Sequence, residues 1–304
     1  SSTWQVANRF GSQPVKLRIE ALMSAGPYEA PGNIVLTDFS DMITSLHQLS
    51  TNGVTIDLSR TSERVKSGQA SGIFKARNSG TVPQNAAWTK TYKTFNPALN
   101  LGKHQALGVW IYGDGQGELL NFRLESPRHI AFGAVADRYV TVDFTGWRYC
   151  ELVETESDRW SDYTWNDGKW LYNFYRELIR FDAVESMSIW YNNLPPGKEI
   201  TCYLSPVKAL PMVPATIRNP SVTVNGETII FPVTMQSGDY LEFYSPADCT
   251  HYGSKGEFRG KITPEGKVPV LLNDNNELSF SCSVIGRLTP RTQVTIISYD
   301  TPLE

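Results

Sequence analysis

The sequence predicts an all-β protein made of two sandwiches in tandem, and three features carry that prediction. Short alternating or β-branched runs recur throughout, among them VKLRIEAL, VTIDLS, LGVWIYG, YVTVDF, SMSIWY, TIIFPVTM, YLEFY and ELSFSCSV, and such runs are strand signals because branched and aromatic side chains pack well on a pleated surface. Turn signals punctuate them at Asn52-Gly53, Gly113-Asp114-Gly115, Pro195-Pro196-Gly197, Asn225-Gly226 and Ser237-Gly238. A Pro-rich join, SPVKALPMVPATIRNP at 205–220, interrupts any regular ladder because proline cannot donate a backbone hydrogen bond.

The join places a boundary near Pro211. It separates a first domain over 34–211 from a smaller, immunoglobulin-like β-sandwich over 212–304. The strand-like PVKLRIEALM has no partner close by, so residues 1–33 are expected to be an N-terminal extension or the end of a preceding domain. Only FSDMITSLHQL and the region Tyr172 to Arg180 look helical.

Composition excludes several classes. Apolar residues make up 40% of the 304 and charged residues 19%, a globular composition with enough apolar material for a sizeable core. Lysine plus arginine total 28 against 31 aspartate plus glutamate, with no basic face of the kind needed to neutralise phosphates, so nucleic acid is not an expected partner. No apolar run is long enough to span a bilayer as a helix. The start SSTWQVANRF does not read as a signal peptide, so an export signal is expected to have been removed or to belong to a longer parent chain. Cys150, Cys202, Cys249 and Cys282 lack zinc-site spacing. They fit either two disulfides, Cys150 with Cys202 and Cys249 with Cys282, or four buried thiols.

A set of motifs in fixed order carries a family resemblance. LTDFSD and VKSGQASGIFKA are followed by LGVWIYGDGQGELLNFRLE at 107–125, a strand, a glycine-rich turn and a second strand. Then come YVTVDFTGWRYCEL and MSIWYNNLPPGKEITCYLSPVKAL. Over residues 34–210 this order resembles jelly-roll carbohydrate-binding modules of the galactose-binding-like type. The whole arrangement, with a small β-domain after it, is similar to the non-catalytic C-terminal parts of large bacterial polysaccharide-degrading proteins. The resemblance implies a jelly-roll β-sandwich, a polysaccharide ligand, a secreted or cell-surface location and an attached catalytic domain that the module targets to its substrate. It implies no required cofactor, but such modules hold a structural calcium between acidic residues of the first strand and an aspartate of the last. That last position reads Leu204-Ser205-Pro206 here, which removes a carboxylate. Asp38 and Asp41 remain the candidate calcium ligands, with local capping by Asp38 as the alternative.

Sugars are held by flat aromatic faces packed against the apolar face of the ring, together with planar polar groups that fork onto adjacent hydroxyls. Residues 147–191 are richest in both, holding Trp147, Trp160, Trp165, Trp170 and Trp190. Within them ESDRWSDYTWNDGKWLYNFYREL reads as a long polar-aromatic loop, and long structured loops tend to be functional. Trp160, Trp165, Trp170 and Tyr163 are the expected platforms and Arg159, Asp158 and Asn166 their hydrogen-bonding partners, against the alternative that these rings fold the loop onto the sandwich as a satellite core. Trp110 and Trp190 sit between small or apolar neighbours and are expected in the core. Tyr112 and Tyr191, expected on the opposite face, then line a groove with Asn121 and Arg123, which share one face of their strand while Phe122 and Leu124 share the other.

Catalysis is not expected. The carboxylates Asp143, Glu151, Glu154, Glu156 and Asp158 follow a strand into polar surface rather than facing one another across a cleft. His47, His104, His129 and His251 belong to no metal or nucleophile motif. The alternatives to a binding module are a jelly-roll glycoside hydrolase or lyase and a purely structural module. In the smaller domain Phe231, Tyr240, Phe243, Tyr244 and Phe280 read as mostly core, with Tyr244, His251 and Tyr252 near Cys249 as a minor surface site.

Overall fold

The computed structural model describes residues 2–40, 47–129, 134–155 and 177–299. The ladders of its two sandwiches are antiparallel, and a parallel bridge joins Asn78 to Pro196. Its helical content among the described residues is two single turns, Gln84–Ala86 and Phe181–Ala183. Of the two stretches expected to be helical, 39–49 and 172–180, residues 41–46 and 172–176 lie outside the described residues. The described ends of those segments are strand at His47–Ser50 and irregular at 178–180.

The chain divides into two compact units, residues 27–212 and residues 1–26 together with 213–304. The change of unit at 212–213 falls beside Pro211. Residues 1–33, however, are not the end of a preceding domain. The strand Lys16–Ala21 lies between Tyr240–Ser245 and Thr292–Ile297, and Ser2–Asn8 pairs with Asp274–Val284. The N-terminal segment had no visible partner because its partners lie more than 200 residues away. In this smaller unit two sheets close over a core that includes Leu17, Ile19, Phe231, Phe243 and Phe280.

The larger unit is a sandwich of a seven-stranded and a five-stranded sheet. The first runs Ile34–Thr37, Val207–Leu210, Ala106–Asp114, Glu199–Leu204, Ser71–Asn78, Val54–Thr61, with Thr145–Leu152 also on Ala106–Asp114. The second runs Val135–Thr141, Leu119–Glu125, Val184–Asn192, Trp88–Leu99, His47–Ser50. Successive strands cross from one sheet to the other at most connections, which is jelly-roll wiring. Inward residues of both sheets, among them Phe74, Val109, Ile111, Phe122, Ile189 and Tyr191, form one core, as alternation along each strand requires.

The turn Gly113-Asp114-Gly115-Gln116-Gly117 does not close a hairpin. The strands on either side of it belong to different sheets, so it is an arch over the rim of the sandwich. Gly113 has no room for a side chain, since a Cβ there would run into the Phe144 carbonyl oxygen. Gly115 and Gly117 take positive φ, a conformation glycine adopts without steric cost. Asp114 locks the arch by accepting bonds from the backbone amides of Gln116 (3.1 Å) and Thr201 (2.9 Å).

Candidate functional site

The outward face of the five-stranded sheet collects aromatic and charged side chains from four adjacent strands. Because alternate residues share a face, the inward set Leu120, Phe122, Leu124 leaves Leu119, Asn121, Arg123 and Glu125 outward, and the inward set Met187, Ile189, Tyr191 leaves Ser188, Trp190 and Asn192 outward. Register then aligns them in rows. Tyr139, Asn121, Trp190, Lys90 and Leu49 stand opposite one another across five strands. The next row is Asp137, Arg123, Ser188 and Tyr92, and on the other side Asn192 stands beside Trp88. Rows two residues apart are separated by about 7 Å along the strands.

At the centre Trp88 and Trp190 pack with ring centroids 5.0 Å apart and planes inclined at 47°. The Lys90 ammonium sits 4.4 Å from the Trp190 ring centre and the Arg123 guanidinium 5.2 Å from it, both within cation–π range. The Trp190 indole N–H donates to Ser188 Oγ at 2.9 Å, which fixes the ring. Arg123 is held in turn by Asp137, its Nε 2.7 Å from Oδ1 and its Nη2 3.0 Å from Oδ2. Burial opposes the charge of Arg123, yet the bonds to Asp137 and that residue's charge outweigh it and raise the pKa. Partial burial lowers the pKa of Lys90, with Arg123 adding to the effect and Glu125 opposing it. The result is a half-buried aromatic pair flanked by two cations and a fixed carboxylate, chemistry suited to a ring with one apolar face and a rim of hydroxyls.

Asn121 and Arg123 face outward together, as their spacing predicts. Asn121 is buried, however, and spends its amide on scaffolding: Nδ2 donates to Asp137 Oδ1 at 2.7 Å and Oδ1 accepts the Arg138 amide at 3.1 Å. It positions Asp137 rather than presenting a free group.

Tyr191 overturns the expected groove. Its side chain is fully buried against Phe74, ring centroids 5.1 Å apart, and its hydroxyl donates to Glu118 Oε1 at 2.7 Å. Its neighbour Trp190, expected in the core, is the outward residue of the pair. Tyr112 belongs to the other sheet, and it shares a face with Trp110 because the two are two residues apart. Both point outward, next to Tyr149, Trp147 and Tyr203, so Trp110 is not core either. Over these rings passes the segment 62–70, anchored where Ser67 Oγ donates to Glu29 at 2.7 Å.

Asp158, Arg159, Trp160, Tyr163, Trp165, Asn166 and Trp170 lie outside the described residues, as does Asp41. Asp38 makes a local turn, its Oδ1 accepting from the Ser40 amide (2.9 Å) and hydroxyl (2.5 Å). No three His, Cys, Asp or Glu converge among the described residues. All four cysteines are free thiols. In the smaller unit His251 is buried beside Asp239, 3.3 Å away, so it lines no surface site, whereas Tyr240 and Tyr252 are half-buried and stack at 5.0 Å.

Trp88, Lys90 and Tyr92 escaped the sequence reading although WTKTYKTF signals them. Threonines alternate with the large side chains there, and Thr89 and Thr91 are the buried ones. A strand whose inward residues are threonines hides its alternation from a search for apolar periodicity.

No family model and no curated protein matches the sequence. Among solved structures the chain is similar to the family 11 carbohydrate-binding module from Clostridium thermocellum in complex with a β-1,3-1,4-mixed-linked tetrasaccharide, with 15% identity and a TM-score of 0.41 over 61% of this chain and 98% of that one. It is also similar to a structure described as addressing the promiscuous specificity of carbohydrate-binding modules from the β-sandwich superfamily, with 11% identity and a TM-score of 0.38 over 60% of this chain and 63% of that one. A third similar structure is an exo-β-agarase, with 9% identity and a TM-score of 0.37 over 60% of this chain and 25% of the enzyme. By its own strand wiring the unit of residues 27–212 is a jelly-roll β-sandwich, and the solved structures it is similar to include carbohydrate-binding modules.

Proposed function

We propose that the chain is a non-catalytic carbohydrate-binding protein that holds a polysaccharide or oligosaccharide on the outward face of its five-stranded sheet and, outside the cell, targets an attached glycoside hydrolase or lyase to that substrate. The observation that carries this reading is the Trp88–Trp190 pair, flanked by Lys90 and by an Arg123 that Asp137 holds in place. The indoles supply apolar area to a pyranose face, and the guanidinium and ammonium donate to its hydroxyls. The Trp160, Trp165, Trp170 and Tyr163 stretch, with Asp158, Arg159 and Asn166, supplies further stacking and hydrogen-bonding groups to the same ligand.

Affinity electrophoresis against a panel of neutral polysaccharides tests the reading. At least one gel is expected to retard the protein, and Trp190→Ala or Trp88→Ala to weaken that retardation at least tenfold, about 1.4 kcal/mol. The same panel is expected to yield no new reducing ends or unsaturated products. Free migration of the wild-type chain through every gel would overturn binding, and product release would replace it with the enzyme reading.

A further inference from the structure

The seven-stranded sheet carries a second aromatic array on the opposite side of the sandwich, and its cations are partnered differently. Tyr112 packs against Trp147 and Tyr203 at 5.5 and 5.8 Å, and Trp110 against Tyr149 at 5.2 Å. Segment 62–70 lies over these rings. The Arg64 guanidinium stands 4.5 Å from the Tyr112 ring centre and 5.4 Å from that of Tyr203, and the Lys66 ammonium 4.6 Å from that of Trp110.

Other cations of this face have carboxylates to answer them. Lys208 lies 3.1 Å from Glu29, and Lys75 and Arg77 stand in register with Asp57 and Glu199. Arg64 and Lys66 make no ion pair or hydrogen bond among the described residues, and both side chains are exposed. Two cations are thus set over rings about 7 Å apart on one strand, held by aromatic faces that orient them without neutralising them. An exposed pair of oriented, uncompensated donors is a receptor for anionic oxygens, Arg64 by a planar fork and Lys66 as a point charge.

We propose that this face is a second binding surface, taking the anionic groups, carboxylate or sulfate ester, of an acidic polysaccharide, with Arg64 and Lys66 as the anion contacts and the flanking Trp147 and Tyr203 rings offering apolar area to the sugar. The surface acts independently of the Trp88–Trp190 face, which lies on the other sheet.

Affinity electrophoresis at low ionic strength in gels containing alginate (carboxylate), carrageenan (sulfate ester) or a neutral β-glucan tests it. The wild-type chain is expected to be retarded by at least one acidic gel, with retardation weakened by added salt. Arg64→Gln with Lys66→Gln is expected to weaken that retardation at least tenfold while leaving migration in the neutral gel unchanged, and Trp190→Ala is expected to leave the acidic-gel retardation in place. The alginate and carrageenan arms identify which anion is taken. Absence of retardation in both acidic gels, or retardation that the double variant retains, overturns the proposal. A thermal midpoint measured on each variant guards the comparison. Should the double variant not fold, the single variants Arg64→Gln and Lys66→Gln decide it by the same criterion.

Discussion

Arg123 and Asp137 stand directly opposite each other on adjacent strands and form a two-point ion pair, Nε to Oδ1 at 2.7 Å and Nη2 to Oδ2 at 3.0 Å, with the Asp137 side chain 3% exposed. Asp137 also accepts from Asn121, so one buried carboxylate organises two outward polar groups of the neighbouring strand, Asn121 and Arg123. Asp137→Asn removes the charge and places an amide donor against two donors, and a buried partner lost in this way costs about 2–4 kcal/mol. Urea unfolding is expected to show a lowered midpoint for Asp137→Asn. Arg123→Gln is expected to cost less stability and more affinity for the ligand. Equal midpoints for wild type and Asp137→Asn would show that the pair organises nothing.

Trp190 and Tyr191 are consecutive residues with opposite duties, because successive side chains of a strand point to opposite faces. Tyr191→Ala opens a cavity beside Phe74 and strips Glu118 of its hydrogen-bond donor, a change of about 3–5 kcal/mol. Trp190→Ala removes a half-buried ring from the outer face, and its expected cost in stability is below about 1.5 kcal/mol. Denaturant titration of the two variants, run beside the gel assay, is expected to separate them: one loses stability, the other affinity. The reverse pattern would put the ligand on the wrong side of the sheet.

The Trp190–Tyr191 pair also shows why the site was only partly legible in the sequence. Alternation fixes that Asn121 and Arg123 share a face, and it does so here. Where two aromatic residues are adjacent, either parity buries a large ring, and only the register with Phe122 and Thr91 on neighbouring strands decides which. The rim turn carried the same ambiguity: glycine spacing identifies a tight turn at 113–117, but a hairpin and an arch between sheets ask the same of the glycines. The all-β class was legible because it rests on local signals. The long-range partners of Lys16–Ala21 were not, because nothing local encodes a partner at residue 240 or 292.

Glu118 makes the larger unit lose stability as pH rises from about 4 to about 7. Its carboxyl is fully buried, Oε1 accepts from Tyr191, and Oε2 has no hydrogen-bond partner among the described residues. Burial, opposed by the Tyr191 bond and reinforced by the nearby Asp114, raises its pKa to about 7. The folded state therefore keeps a proton that the unfolded chain, at a pKa of about 4.3, has released. This contribution is fully present below the unfolded value and is lost as pH rises through about 7. Glu118→Gln, a neutral isostere, is expected to remove that dependence, so that the variant gains on wild type by up to about 3 kcal/mol between pH 5 and pH 8.5. Unfolding free energies measured at both pH values check it, and a difference that does not change with pH would mean that Glu118 is already ionised at pH 5.

The placement of residues 1–26 predicts how the protein can be divided. Val15, Leu17 and Ile19 are fully buried in the smaller unit, and the strand Lys16–Ala21 lies inside its five-stranded sheet, paired on both sides. Burying each such side chain stabilises by about 1.5–3 kcal/mol, so their loss together removes an amount comparable with the whole stability of a small domain, about 5–15 kcal/mol. It also leaves two strand edges unpaired inside the sheet. A fragment of residues 213–304 is therefore expected to lack cooperative unfolding, and a peptide of residues 1–26 added in trans to restore it. A fragment of residues 27–212, whose strands and core are complete without either flank, is expected to unfold cooperatively and to keep the ligand affinity of the full chain. Circular dichroism melts of the three samples decide the matter, and a cooperatively folded 213–304 fragment would mean that the N-terminal strand is an accessory to that sheet and not an integral part of it.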